Sequence, residues 1–336
     1  MKIAIFETEQ WEHEACLRLE PPHRISCTSD ALNERTAHDY ADAEVLSPFV
    51  YSKLDAAILA RFPQLKLIAT RSTGYDHVDL SYCKAHGVTV CNVPDYGDST
   101  VAEHVFALLL GLARNLPASA ERTRRGHFSQ SDLRGFELRG KTLGVVGAGR
   151  IGRRVIEIAL GFGMTVIAVD QHPDHALSRR LGFSYMPLDE VLSRSDIVTL
   201  HVPASPETTG LISDPEFALM KPGAVLINTA RGSVVEVEAL VRALAEGRLR
   251  AAGLDVLPNE PALRDEAEIF RRDAPVSNQD LTALVANHAL LQFPNVLVTP
   301  HNAYNTAEAV KRIIETTLAN IEAFARGDPR NVVGQA

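Results

Sequence analysis

An apolar run at 143–146 passes straight into Gly147-Ala148-Gly149-Arg150-Ile151-Gly152, and the chain continues with helical spacing through Val155, Ile156 and Ile158. A strand that feeds a glycine-rich turn opening a helix leaves few choices of fold. Gly147 permits the tight turn, Gly149 lets a ligand approach the backbone, and Gly152 lets the helix pack against the strand. Unpaired N–H groups of the first helical turn, with the positive end of the helix dipole, then face an anion such as the pyrophosphate of a dinucleotide. A second apolar run, 165–169, ends in Asp170, 18 residues after Gly152. A carboxylate there can accept both ribose hydroxyls and repels a 2′-phosphate, so the expected cofactor is NAD and not NADP.

Short β-branched runs alternate with helical patterns over nearly all of the 336 residues, which argues for parallel α/β layers in two domains. Strands are expected at 2–6, 24–28, 44–48, 67–70 and 88–92, and again at 143–146, 165–169, 197–201, 225–228, 253–256 and 296–299. Stretches 150–160 and 236–246 have helical length and spacing. A long, largely buried helix is expected over 100–114, after the turn-rich 94–98 and before Pro117. Segment 116–139 lacks strand character and reads as a domain-capping arm or an oligomer contact.

Several function classes are excluded early. The net charge of −8 provides no basic face for nucleic acid, and Arg122, Arg124 and Arg125 read as a solvated helix face. The longest apolar run, 105–113, is far shorter than the ~20 residues of a membrane helix. The apolar start is too short for a signal peptide and reads as a first strand. Cys16, Cys27, Cys83 and Cys91 show no CxxC spacing, so neither a disulfide framework nor a metal site is expected. A reduced, cytoplasmic protein follows.

In a doubly wound sheet, ligands sit beyond the carboxyl ends of the strands. The run 225–228 ends in Thr229-Ala230-Arg231-Gly232, the run 253–256 leads through Leu257-Pro258-Asn259 to Glu260, and the run 296–299 ends in Pro300-His301. Each of Arg231, Glu260 and His301 alone reads as an ordinary loop residue. Together they arrive at the sheet edge that carries the phosphate loop. A histidine beside a carboxylate can exchange a proton near neutral pH, and an arginine fork suits a carboxylate or carbonyl oxygen. With a nicotinamide alongside, the chemistry is hydride transfer at a carbonyl.

These residues resemble the D-2-hydroxyacid dehydrogenase family over essentially the whole chain. The matching stretches are Arg71-Ser72-Thr73-Gly74-Tyr75-Asp76-His77-Val78-Asp79, Val101-Ala102-Glu103-His104, the phosphate loop with its strand, Ile227-Asn228-Thr229-Ala230-Arg231-Gly232, Leu254-Asp255-Val256 on to Glu260, and Thr299-Pro300-His301. The resemblance implies that His301 protonates the carbonyl oxygen during reduction, that Glu260 holds and tunes His301, and that Arg231 binds the substrate carboxylate. It implies substrate contacts at Thr73, Gly74 and Tyr96. Cofactor contacts carry over to Arg150, Ile151, Asp170, Val202, Pro203, Thr208, Thr229, Ala230 and Asp255, the last near the nicotinamide amide. It implies two Rossmann-like or flavodoxin-like parallel-sheet domains. An NAD domain, 99–299, is inserted into a split substrate domain, 1–98 and 300–336, with the active site in the hinge cleft and a homodimer built on the NAD domains.

Within the family, the D-lactate dehydrogenase branch is the nearest in pattern. Tyr96 in Val93-Pro94-Asp95-Tyr96 matches a tyrosine of that branch, as do the 41 positions from Glu260 to His301. Glutamate rather than glutamine as the histidine's partner argues against formate dehydrogenase, and Thr73 stands where phosphite dehydrogenases carry lysine. Phe49 and Tyr96 suggest a small apolar pocket for a methyl-sized group. Three positions depart from the pattern: Asn302 beside His301, Gly97-Asp98 before the long helix, and Leu257 where phenylalanine is common. The alternatives are a glyoxylate, hydroxypyruvate or broad 2-keto acid reductase and, from another class, an NAD(H)-sensing binding protein like the corepressors that share this fold.

Overall fold

Alternation of apolar side chains builds the first sheet. Strands β1 (Lys2–Ile5), β2 (Arg24–Cys27), β3 (Val45–Ser47), β4 (Leu67–Ala69) and β5 (Thr89–Cys91) pair in parallel in the order β2-β1-β3-β4-β5. On one face Ile3, Ile5, Val45, Leu67 and Cys91 pack with Cys16 of α1 (Gln10–Cys16) and with Ile314, Leu318 and Ile321 of the C-terminal helix (Ala307–Ala325). On the other, Ala4, Phe6, Leu46, Ile68 and Val90 pack with Ile58 and Leu59 of α2 (Ala56–Leu59) and Cys83 of α3 (Leu80–Ala85). Burial on both faces is why β3 and β4 read as near-continuous apolar runs, whereas the edge strand β2 stays partly exposed.

The second sheet follows the same physics at larger size. Its strands are β6 (Thr142–Val146), β7 (Thr165–Val169), β8 (Ser184–Tyr185), β9 (Ile197–Leu200), β10 (Ala224–Asn228), β11 (Leu249–Leu254) and β12 (Val296–Val298). All pairs are parallel, in the order β12-β11-β10-β9-β6-β7-β8. Leu143, Val145, Val166 and Ile227 face Val105, Phe106 and Leu109 of α4 (Asp98–Ala113), with Val155 and Ile156 of α6 (Arg150–Gly161); in chain order α5 (Leu116–Arg124) comes between them. Val146, Val198, Leu200 and Leu226 face the opposite layer, which includes Leu240 and Leu244 of the helix Val237–Ala245 and Leu290 of the helix Asn278–Gln292. The strand order reverses between β6 and β9, where this topology places ligands.

The computed structural model describes residues 1–258 and 278–334. They fall into two compact units, Met1–Gly97 with Asn305–Ala336, and Asp98–Tyr304. No helix among the described residues is long and apolar enough to cross a membrane.

Three elements differ from the pattern reading. Strand β8 was not expected, since two residues carry no periodicity. Strand β11 spans Leu249–Leu254 instead of 253–256, because exposed Arg250 interrupts the apolar run and Asp255 already turns away to bond the next loop. Within 116–139, α5 forms yet buries none of its residues, and Leu116 and Phe128 stay exposed.

Candidate active site

Strand β6 delivers Gly147 with φ of 94°, a left-handed conformation that a side chain would strain. A Cβ on Gly152 would lie 2.1 Å from the Gly147 carbonyl oxygen, so that close approach is imposed by the protein itself. Gly149 is different: a Cβ there would meet nothing within 4 Å. Open space above Gly149, at a helix N-terminus that no side chain caps, fits phosphates lying across the turn. Asp170, just beyond β7, accepts the Ala148 N–H at 2.7 Å and the His172 N–H at 2.8 Å. Its carboxylate therefore braces the loop, and with about four lone-pair sites it keeps acceptor capacity for a ribose.

The other positions assigned to the cofactor lie on the same unit. The Arg150 Nε donates to Asp98 at 2.9 Å, while Ile151 is half-buried on α6. Val202 and Pro203 follow β9, and the Thr208 hydroxyl donates to the Pro203 carbonyl at 2.6 Å and closes that turn. Ala230 donates its N–H to the Asn228 side chain at 3.0 Å. The Thr229 hydroxyl is buried with no hydrogen-bond partner among the described residues. Such an orphan costs on the order of 1–3 kcal/mol unless a ligand satisfies it, which fits a bound cofactor at the carboxyl end of β10. Next to this turn, desolvation pushes the His201 imidazole down to about 3.

Arg231 is half-buried beyond β10, where one guanidinium nitrogen donates to the Ala230 carbonyl at 2.9 Å. A Cβ on the adjacent Gly232 would lie 2.2 Å from the Leu257 carbonyl carbon, so the Arg231 turn sits directly on the 257–258 backbone. Glu260 lies outside the described residues. His301 has φ of 51°, and its N–H donates to the Asp255 and Thr299 carbonyls, both at 2.9 Å. Backbone strain of this kind persists where surrounding bonds hold it.

Asp255 provides those bonds. It is 1% exposed, and its carboxylate accepts from the Thr299 hydroxyl at 2.5 Å, the Asn302 N–H at 3.0 Å and the Ala303 N–H at 2.9 Å. The His104 Nε2 stands 3.4 Å from the same carboxylate and 3.0 Å from the Thr299 hydroxyl. Sequence reading assigned no role to His104 or Thr299. The available signal was a histidine at the border between the polar start of α4 and its apolar remainder. The departure at Asn302 is absorbed by its backbone, which Asp255 holds, while its side-chain oxygen is buried and without a partner among the described residues. A histidine on a braced loop and an arginine fork, both beyond strand ends of one sheet, can exchange a proton and bind anionic oxygens.

In the other unit, Thr73 and Gly74 lie beyond β4. The Thr73 hydroxyl donates to the Val93 carbonyl at 2.8 Å, Asn92 donates to the Thr73 carbonyl at 2.8 Å, and the Ser72 hydroxyl donates to the Gly74 carbonyl at 2.6 Å. These bonds pin the turn, yet the N–H groups of Thr73 and Gly74 have no acceptor among the described residues. Tyr96 is half-buried, and its carbonyl accepts from Arg312 at 2.7 Å.

Residues 106–303 match the family described as D-isomer specific 2-hydroxyacid dehydrogenase, NAD binding domain. The chain is 37% identical, over 99% of both sequences, to the 2-hydroxyacid dehydrogenase homolog 1 of Schizosaccharomyces pombe. It is 33% identical to the glyoxylate reductase of Pyrococcus furiosus, over 96% of this chain and 87% of that one. The crystal structure of D-lactate dehydrogenase from Aquifex aeolicus, complexed with NAD and lactic acid, matches with a TM-score of 0.88 at 36% identity, over 99% of this chain and 100% of that one. The chain belongs to the D-isomer specific 2-hydroxyacid dehydrogenases and is an NAD-dependent oxidoreductase.

Proposed function

We propose that this dehydrogenase is a D-lactate dehydrogenase, reversibly reducing pyruvate, or a 2-keto acid of similar size, to the D-2-hydroxy acid. The observation that carries the reading is the whole-chain likeness to the Aquifex aeolicus enzyme bound to NAD and lactic acid. NADH, when bound, would supply the hydride. His301 holds the proton delivered to the carbonyl oxygen, on a loop that Asp255 keeps rigid. Arg231 binds the substrate carboxylate and polarises the carbonyl, and Glu260 holds His301. The open N–H groups of Thr73 and Gly74 suit the substrate carboxylate, and Tyr96 suits a small apolar substituent. In this reading Met1–Gly97 with Asn305–Ala336 is the substrate unit, and the enzyme is a cytoplasmic homodimer.

A second reading, reduction of glyoxylate, is favoured by the likeness to the Pyrococcus furiosus enzyme. A methylene more or less in such a pocket changes discrimination by only about 1–3 kcal/mol, so measurement must rank the substrates. NADH oxidation is followed with pyruvate, glyoxylate, hydroxypyruvate, phenylpyruvate and oxaloacetate, with chiral analysis of the product. Pyruvate is expected to give the highest kcat/KM and D-lactate. Preference for glyoxylate overturns the first reading in favour of the second. In the same panel, His301→Ala should lower kcat by about 10²–10⁴-fold while NADH binding stays intact.

A further inference from the structure

The five-stranded sheet runs β2-β1-β3-β4-β5, so its connections change direction between β1 and β3. In this topology, ligands settle at that switch point beyond the carboxyl ends of the strands. Here an internal side chain fills it. Glu7, two residues past β1, has φ of 57°, a left-handed conformation that a residue with a side chain keeps only when held. Its carboxylate accepts four consecutive backbone N–H groups beyond β3: Phe49 at 3.3 Å, Val50 at 3.0 Å, Tyr51 at 2.9 Å and Ser52 at 3.0 Å. The Ser52 hydroxyl adds a fifth bond at 2.5 Å and itself accepts the Leu32 N–H at 2.9 Å. Successive N–H groups converging on one anion form a nest of the kind that binds phosphate or carboxylate. This chain supplies the anion itself.

A buried arginine ties the same place to the Thr73 turn. Arg71 is 1% exposed and immediately precedes Ser72-Thr73-Gly74. Its guanidinium donates to the Phe6 and Glu7 carbonyls, pairs with Glu12 at 2.7 Å, and lies 5.5 Å from the centre of the Phe49 ring. Its backbone N–H donates to the Pro48 carbonyl at 2.9 Å. One bonded cluster therefore joins the turns beyond β1, β3 and β4.

We propose that Glu7 is a positioning residue that holds the 49–52 loop, and with it the Phe49 ring, as the wall deciding which 2-keto acid side chain is accepted. The inference rests on the proposed keto-acid reduction. Hydrogen bonds to a carboxylate are about twice as strong as neutral ones, so five of them leave the loop little freedom. Glutamine at this position turns one oxygen into an NH2 group that faces N–H donors, so either the Phe49 and Ser52 donors or the Val50 and Tyr51 donors lose their acceptor.

The test compares kcat/KM for pyruvate and phenylpyruvate in the wild-type enzyme, Glu7→Gln and Glu7→Gly. Glycine accepts the left-handed backbone and leaves the nest empty for added acetate. Both variants should lose preference for pyruvate by about tenfold to a hundredfold, the scale on which misplacement by about 1 Å acts. Acetate should restore that preference saturably in Glu7→Gly, with the wild type titrated alongside to correct for competition with substrate. Should Glu7→Gln fail to fold, the acetate response of Glu7→Gly decides. Equal loss on both substrates with no acetate response overturns the proposal and leaves Glu7 a role in folding alone. A wild-type enzyme that reduces none of the keto acids sinks the proposed function instead, and the inference with it.

Discussion

At His201, burial has a chemical consequence that stability measurements can read. The ring bonds the Thr199 hydroxyl at 2.9 Å, and desolvation pushes its pKa from 6.5 down to about 3. Between these values the unfolded chain binds a proton that the folded chain refuses. Stability therefore falls as pH drops through this window, and the penalty is absent above about 6.5. Replacing His201→Gln should flatten the loss of stability between about pH 6 and pH 4, read from urea midpoints at each pH. An unchanged slope would assign the acid sensitivity to other groups. The residue scale is also where sequence reading was thinnest. Beside the role expected for it at the nicotinamide amide, Asp255 bonds Thr299, Asn302 and Ala303, and so the backbone that carries His301, which no local pattern announces.

Among elements, the phosphate loop separates two reasons for a glycine. Gly152 is demanded by the protein, since a Cβ would collide with the Gly147 carbonyl, whereas nothing in the protein crowds Gly149. Gly149→Ala should keep the melting temperature and weaken NADH binding. Gly152→Ala should lower both, with fluorescence titration and thermal melting as the measurements. Equal NADH affinity in Gly149→Ala and wild type would place the phosphates elsewhere. Elements with long periodic runs were legible, as in β6, β7 and α6, because both faces of a parallel sheet select apolar residues. Short or interrupted ones were not: β8 has two residues, and Arg250 hides the start of β11.

Over the whole molecule, chain order and domain order part company. The C-terminal helix belongs to the first sheet, where Ile314, Leu318 and Ile321 cover Ile3, Ile5 and Val45. Leu318 is 5% exposed, so Leu318→Ala should destabilise that unit by about 2–5 kcal/mol. NADH affinity should stay unchanged, because residues 106–303 carry the NAD-binding domain. Chemical denaturation and NADH titration of the intact variant check both halves of this statement. A variant with unaltered stability would show that the helix adds nothing to the first sheet.

Local pattern was enough to determine a parallel α/β chain that takes NAD and a strand–glycine turn–helix that fits phosphates, because strand alternation, glycine and helix termini act over a few neighbouring residues. Only the tertiary structure decided which polar groups meet. Glu7 reaches its nest 42 to 45 residues away, Asp255 holds the N–H of Asn302 at a separation of 47, and His104 finds Thr299 at 195. The topology of each unit brings its own pairs together, and a hydrogen bond depends on distance and angle, which no local pattern of residues records.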